Sequence, residues 1–250
     1  MSILRAPLKV PTDRSIQPSS TTPMTHPVVT AVRAGLKEAA DPVKAPQMQA
    51  YMKSDMPYRG VASAVQKALW RQIFRAHRLA SAEEWREAVL ALWRGAKYRE
   101  ERYAAIGLSD LTAYASYRTM ASLPMFEEMI VTGAWWDYVD VIASHQLGDI
   151  LRAEPRRMKP LMRRWATDRR MWKRRAAILC QLGFKRETDL DLLYACIEPS
   201  IDSKEFFLRK AIGWALRQYA WTDPREVQRY VKENRARLSP LSVREAMKNI

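Results

Sequence analysis

Residues Ser203–Trp221 read SKEFFLRKAIGWALRQYAW. Apolar side chains recur at Leu208, Ala211, Ile212, Ala215, Leu216 and Tyr219. That i, i+3, i+4, i+7 spacing lines one face of an α-helix. Lys210, Trp214, Arg217 and Trp221 fall on the opposite side. Cations are ordinary there on a surface helix; two indoles are not. An indole one turn from a Lys and one turn from an Arg suits a flat, anionic partner. Phosphates attract cations, and sugars and bases pack on aromatic surfaces. Burial of Trp214 under another helix is the competing reading, because Trp is mostly buried.

The surrounding chain favours helix throughout. It has 250 residues, with only 8 Gly, and Ala, Leu, Arg, Glu, Lys, Met and Trp are prominent. The 42 Lys+Arg against 27 Asp+Glu give a formal charge of +15. Such a balance points to an acidic partner, either nucleic acid or an anionic membrane. No apolar run is long enough to span a membrane, and the N-terminal residues lack the apolar stretch of a secretory signal. Cys180 and Cys196 both sit in apolar helical patterns and read as reduced core residues. The scattered His26, His77 and His145 suggest no metal set.

Residues 1–25 are rich in Pro, Ser and Thr and show no apolar period; they read as a disordered tail. Residues 26–250 read as one domain. Helix-sized segments follow one another from Pro27, broken at Met56-Pro57, Ser81, Gly95, Gly107 to Ser109, Leu123-Pro124, Thr132-Gly133 and onward. Ser81 with Glu84, and Ser242 with Glu245, have the spacing of a helix cap and its acid, while Ser109-Asp110 and Thr222-Asp223 also resemble starts. Successive helices with short turns predict antiparallel pairs. Stacked pairs predict an all-α fold, an α-solenoid of HEAT-like or armadillo-type repeats, whose concave face suits an extended partner; periodicity alone leaves a compact helical bundle as the alternative. Trp135, Trp172 and Trp214, spaced 37 and 42 residues apart, hint at one repeat each.

Three segments supply candidate chemistry. In Gly133–Ser144 the stripe runs Trp135, Val139, Ile142 and Ala143, with Trp136 and Asp140 one turn apart beside it. A carboxylate at the edge of a core is poorly solvated, which raises its pKa, while cations nearby oppose the shift. In Arg169–Lys185 the stripe is Trp172, Ala176, Leu179 and Cys180; Arg174 lies on the far side and Arg175 flanks it, placed to meet phosphate. The third segment carries Lys210, Trp214 and Arg217. An acid among phosphate-binding cations would repel the ligand, so its presence suggests catalysis by stabilising positive charge or activating water.

The motifs YMK at Tyr51–Lys53, MPYRGV at Met56–Val61, AWWDYVD at Ala134–Asp140, WKRRAAILCQL at Trp172–Leu182, Lys204–Tyr219 and LSPLSVREA at Leu238–Ala246 occur in order. Through them residues 27–250 resemble the AlkD-type DNA alkylation repair proteins, HEAT-like-repeat alkylpurine DNA glycosylases. Ala62 and Gly183 depart from the pattern seen in relatives. The resemblance implies a superhelix with a concave basic groove for double-stranded DNA. It implies hydrolysis of the N-glycosidic bond of N3- or N7-alkylated purines without cofactor or metal, the lesion staying stacked. It places the catalytic acid at Asp140, flanking aromatics at Trp136 and Trp214, and a phosphate-positioning residue at Arg175. Tyr51, Lys53, Arg59, Arg174, Lys210 and Arg217 would be the DNA-binding set. A monomer acting in the bacterial cytoplasm at the nucleoid is expected. The alternative from a different class is a non-catalytic HEAT-repeat scaffold that recognises damaged or structured DNA.

Overall fold

The computed structural model describes residues 26–250; the expected tail over residues 1–25 lies outside them. Fourteen α-helices follow one another, with no strand among the described residues. They are α1 (Pro27–Glu38), α2 (Lys44–Met52), α3 (Ser63–Ala76), α4 (Ala82–Arg94), α5 (Arg99–Asp110), α6 (Leu123–Gly133) and α7 (Trp136–Ile142). There follow α8 (Gly148–Ala153), α9 (Pro155–Ala166), α10 (Met171–Leu179), α11 (Leu190–Ile197), α12 (Phe206–Ala220), α13 (Pro224–Glu233) and α14 (Pro240–Ala246).

Local chemistry sets many of the boundaries. Pro opens α1, α9, α13 and α14, where its missing N–H has no helical partner to lose. Ser81 caps α4 by accepting from the Glu84 N–H at 3.1 Å, and Asp223 caps α13 through Glu226 N–H at 3.0 Å, as the spacing predicts. One turn of π-helix, Ala143–Leu147, joins α7 to α8 without a break.

The helices pair into two layers. One layer runs α3, α5, α7, α10, α12, α14, each touching the next; α1, α4 and α6, then α9 with α11, back it. This is the paired arrangement expected of an α-solenoid. A continuous apolar core extends from Val28 to Ala246. In α12 it takes Leu208, Ala211, Ile212, Ala215 and Leu216, the stripe read from the sequence. Each fully buried large side chain contributes about 1.5–3 kcal/mol.

Four expectations are corrected. Gly107 is not a helix break, and Ser109-Asp110 does not start one: α5 runs through both. Gly107 is needed for packing instead, since a Cβ there would lie 2.9 Å from the Trp70 ring. Ser242 does not cap α14; Ser239 does, accepting from Ser242 N–H at 3.0 Å. Trp135, Trp172 and Trp214 do fall one each at α7, α10 and α12, but Trp135 and Trp172 stand at the starts of their helices and Trp214 in the middle of its own. Trp135 and Trp172 pack against Phe207, with ring centroids 5.6 and 5.0 Å away, so Phe207, not Trp214, completes that aromatic cluster.

The MPYRGV segment is held as a fixed loop by one buried acid. The Glu100 carboxylate accepts from the backbone N–H of Arg59, Gly60 and Val61 at 3.0, 2.9 and 3.3 Å. Gly60 has φ +79°, and a Cβ there would sit 2.0 Å from the Asp41 carbonyl oxygen, so no other residue fits.

Candidate functional site

The helices α7, α10, α12 and α14 converge on a cleft of about 350 Å³. Trp136 and Asp140 come from α7, Arg175 from α10, Phe206, Phe207, Lys210, Trp214 and Arg217 from α12, and Glu245 from α14. Thus six of the ten residues singled out in the sequence meet in one place. Trp136 and Asp140 reach it together because they lie one turn apart on α7 while Tyr138, Val139 and Ile142 fill the core behind them. Trp214 is half-buried and rests on the core without being closed off from the cleft.

Asp140 is 9% exposed. Arg175 grips it with both arms: Nε donates to Oδ1 at 2.7 Å and Nη2 to Oδ2 at 2.8 Å. The third guanidinium nitrogen donates to the Phe207 carbonyl oxygen, which ties α10 to the start of α12. Burial pushes the Asp140 carboxyl above its ordinary value, and the Arg175 contacts restrain that rise. The sequence reading placed Arg175 at a rim, holding phosphate. At 5% exposure, with all three nitrogens engaged, it instead clamps the acid. An ionised carboxylate offers about four lone-pair sites, so two remain free for a ligand beside the two Arg175 bonds.

Lys210 and Arg217 stand on either side of Trp214 along α12 and share one carboxylate. Glu245 accepts from Lys210 Nζ at 3.0 Å and from Arg217 Nη1 at 2.9 Å. These contacts, the Lys210 bond foremost, hold the Glu245 carboxyl below the usual range. Phe206, 52% exposed, adds an apolar edge to the cleft.

On the other side of α7 lies a larger chamber of about 720 Å³, lined chiefly by α2, α3, α5 and α7. Tyr51 is exposed and borders this chamber, not the Asp140 cleft. Its wall includes Asp137, which accepts from Arg99 Nη2 at 2.7 Å and from the Tyr103 hydroxyl at 2.6 Å. Tyr103 also meets the Tyr58 hydroxyl at 2.8 Å. Burial, and then the Asp137 charge, keep the Tyr103 hydroxyl protonated far above the usual phenol range. This network pins the first turn of α7, the helix that presents Asp140.

Lys53, Arg59 and Arg174 line neither space. Lys53 ends α2 in a left-handed conformation with φ 48° and is exposed. Arg59 lays its guanidinium 3.9 Å from the centre of the Tyr98 ring. Arg174 is half-buried on α10. Glu245, Phe206, Phe207 and Asp137 were not singled out as site residues from the sequence. Phe206 and Phe207 stand in the sequence as aromatics beside the basic stripe; Glu245 shows there only as the acid three residues after Ser242, which points to a cap and not to the cleft.

A family model of DNA alkylation repair enzymes matches residues 32–250. A solved structure described as a predicted DNA alkylation repair enzyme from Enterococcus faecalis superposes with a TM-score of 0.76 at 30% identity, covering 84% of this chain and 96% of that one. A search of curated proteins found no match. The chain belongs to the DNA alkylation repair enzyme family, which gives it a role in DNA repair and DNA as its partner.

Proposed function

We propose that the protein is a monofunctional DNA glycosylase that hydrolyses the N-glycosidic bond of N3- or N7-alkylated purines in duplex DNA. Alkylation leaves a positive charge on the purine, so the base departs neutral and the charge develops on the deoxyribose. Asp140 stabilises that oxocarbenium-like sugar and orients water toward C1′ with its free lone pairs. Trp136 and Trp214 pack on the sugar and add cation–π attraction, about 0.5–2 kcal/mol for each ring. Arg175 keeps the carboxylate ionised and aimed. Lys210 and Arg217 meet backbone phosphates, so the lesion is addressed through its sugar while remaining in the stack.

The observation that carries the reading is a nearly buried carboxylate opening into a cleft that also presents two indoles and two cations. The bidentate Arg175 contact gives some weight to a second reading, a binding scaffold in which Asp140–Arg175 merely joins α7 to α10. Incubation with a duplex carrying 7-methylguanine separates them. The glycosylase releases free base and leaves an abasic site without cutting the strand; a scaffold retains the duplex and releases nothing.

A further inference from the structure

Helix α14 approaches α12 more closely than ordinary side chains allow. Gly213 lies at the crossing, where a Cβ would stand 2.5 Å from the Glu245 Cβ and 2.8 Å from the Ser242 carbonyl oxygen. The Ser242 hydroxyl fastens the crossing by donating to the Arg209 carbonyl oxygen at 3.0 Å. The effect is to deliver a carboxylate into a cleft already read as anion-binding. Glu245 spans Lys210 and Arg217, two turns apart on α12, with Trp214 between them.

A carboxylate in a phosphate-binding site weakens non-specific attraction. It also fixes two long side chains that would otherwise lose conformational freedom only when DNA arrives. Lys has three donors and Arg five. The Glu245 bridge takes one N–H on each, and donors remain on both cations to meet phosphate without leaving it.

We infer that Glu245 is a positioning residue of the repair reaction: it braces Lys210 and Arg217 so that DNA phosphates seat in register with Trp214 and Asp140, and it lowers affinity for undamaged duplex. This inference rests on the DNA reading of the cleft and concerns its specificity. The cluster of Lys210, Arg217 and Glu245 carries one net positive charge instead of two, so hold on any duplex is moderated while geometry is kept.

The test compares wild type with Glu245→Gln and Glu245→Asp, using undamaged duplex across a salt series and single-turnover release of 7-methylguanine at saturating protein. Glu245→Gln unmasks a charge, so the slope of log affinity against log salt steepens by about 0.9. Affinity for undamaged duplex rises on the order of fivefold at 0.1 M salt. The saturated rate falls on the order of tenfold, because unbraced cations seat the backbone less accurately. Glu245→Asp keeps the charge but not the reach, so the slope stays and the rate still falls. The double variant Lys210→Gln with Glu245→Gln restores the wild-type slope but not the rate. An unchanged slope in folded Glu245→Gln, or a wild-type saturated rate in either single variant, overturns the inference. Should Glu245→Gln fail to fold, the rate of Glu245→Asp decides. Absence of duplex binding by the wild type would instead sink the DNA reading of the cleft itself.

Discussion

Asp140 on α7 and Arg175 on α10, 35 residues apart in sequence, form a two-pronged ion pair at 2.7 and 2.8 Å. Only the cleft side of the carboxylate remains open to a ligand. Removing Arg175 strands a buried charge. Arg175→Ala should therefore cost about 3–5 kcal/mol of folding stability. Arg175→Lys keeps a charge but loses the fork, and should cost about 1–3 kcal/mol. Urea midpoints measure both; base release should fall in each, because the acid is no longer aimed.

The pair also sets a pH dependence. Asp140 must be ionised to steady a cationic sugar, and its carboxyl titrates above the ordinary 3.8 because burial outweighs the Arg175 contacts. The ionised fraction falls as pH falls through that raised value. The acid limb of base release, corrected for spontaneous loss, should accordingly have its midpoint above pH 3.8. Arg175→Gln removes the contribution that lowers the value, so it should move the limb to still higher pH. A limb shifted downward in that variant would contradict the assignment.

The indoles are expected to act on the rate more than on binding. Trp136→Leu and Trp214→Leu retain apolar surface but lose the ring's attraction for developing positive charge. A loss of about 1–2 kcal/mol each corresponds to roughly 5–30-fold in the saturated release rate. Duplex affinity, measured by anisotropy, should change less than the rate does.

Gly213→Ala tests the helix crossing. The added methyl meets the Glu245 Cβ and α14 backbone, which cannot yield as a flexible side-chain tip would. Overpacking of this kind costs about 1–3 kcal/mol. Calorimetry should show a lower melting temperature, and displacement of α14 should perturb the salt dependence of DNA binding as well.

Much of this arrangement was legible in the sequence. The α12 stripe, the opening prolines and the Ser81 cap all follow from near-neighbour physics, which spacing records. Trp136 and Asp140 share a side of α7 for the same reason. What spacing does not record is which distant partner a side chain takes. Glu245 sits three residues after Ser242, the pattern of a capping acid, yet it reaches Lys210 and Arg217 on α12. Arg175 looked like a rim cation because it flanks the apolar stripe of its helix; its fate was decided by Asp140 and by the Phe207 carbonyl. Gly107 resembled a break because glycine is a poor helix former, but the Trp70 ring needs the space.

The central claim is that Asp140 performs chemistry instead of merely joining two helices. Single-turnover release of 7-methylguanine from duplex, at saturating protein, compares wild type with Asp140→Asn most directly. The account predicts comparable duplex affinity and a release rate at least about 100-fold lower in the variant, the scale of removing one electrostatic stabiliser. Equal release by the two proteins, with the variant folded and bound, would contradict it.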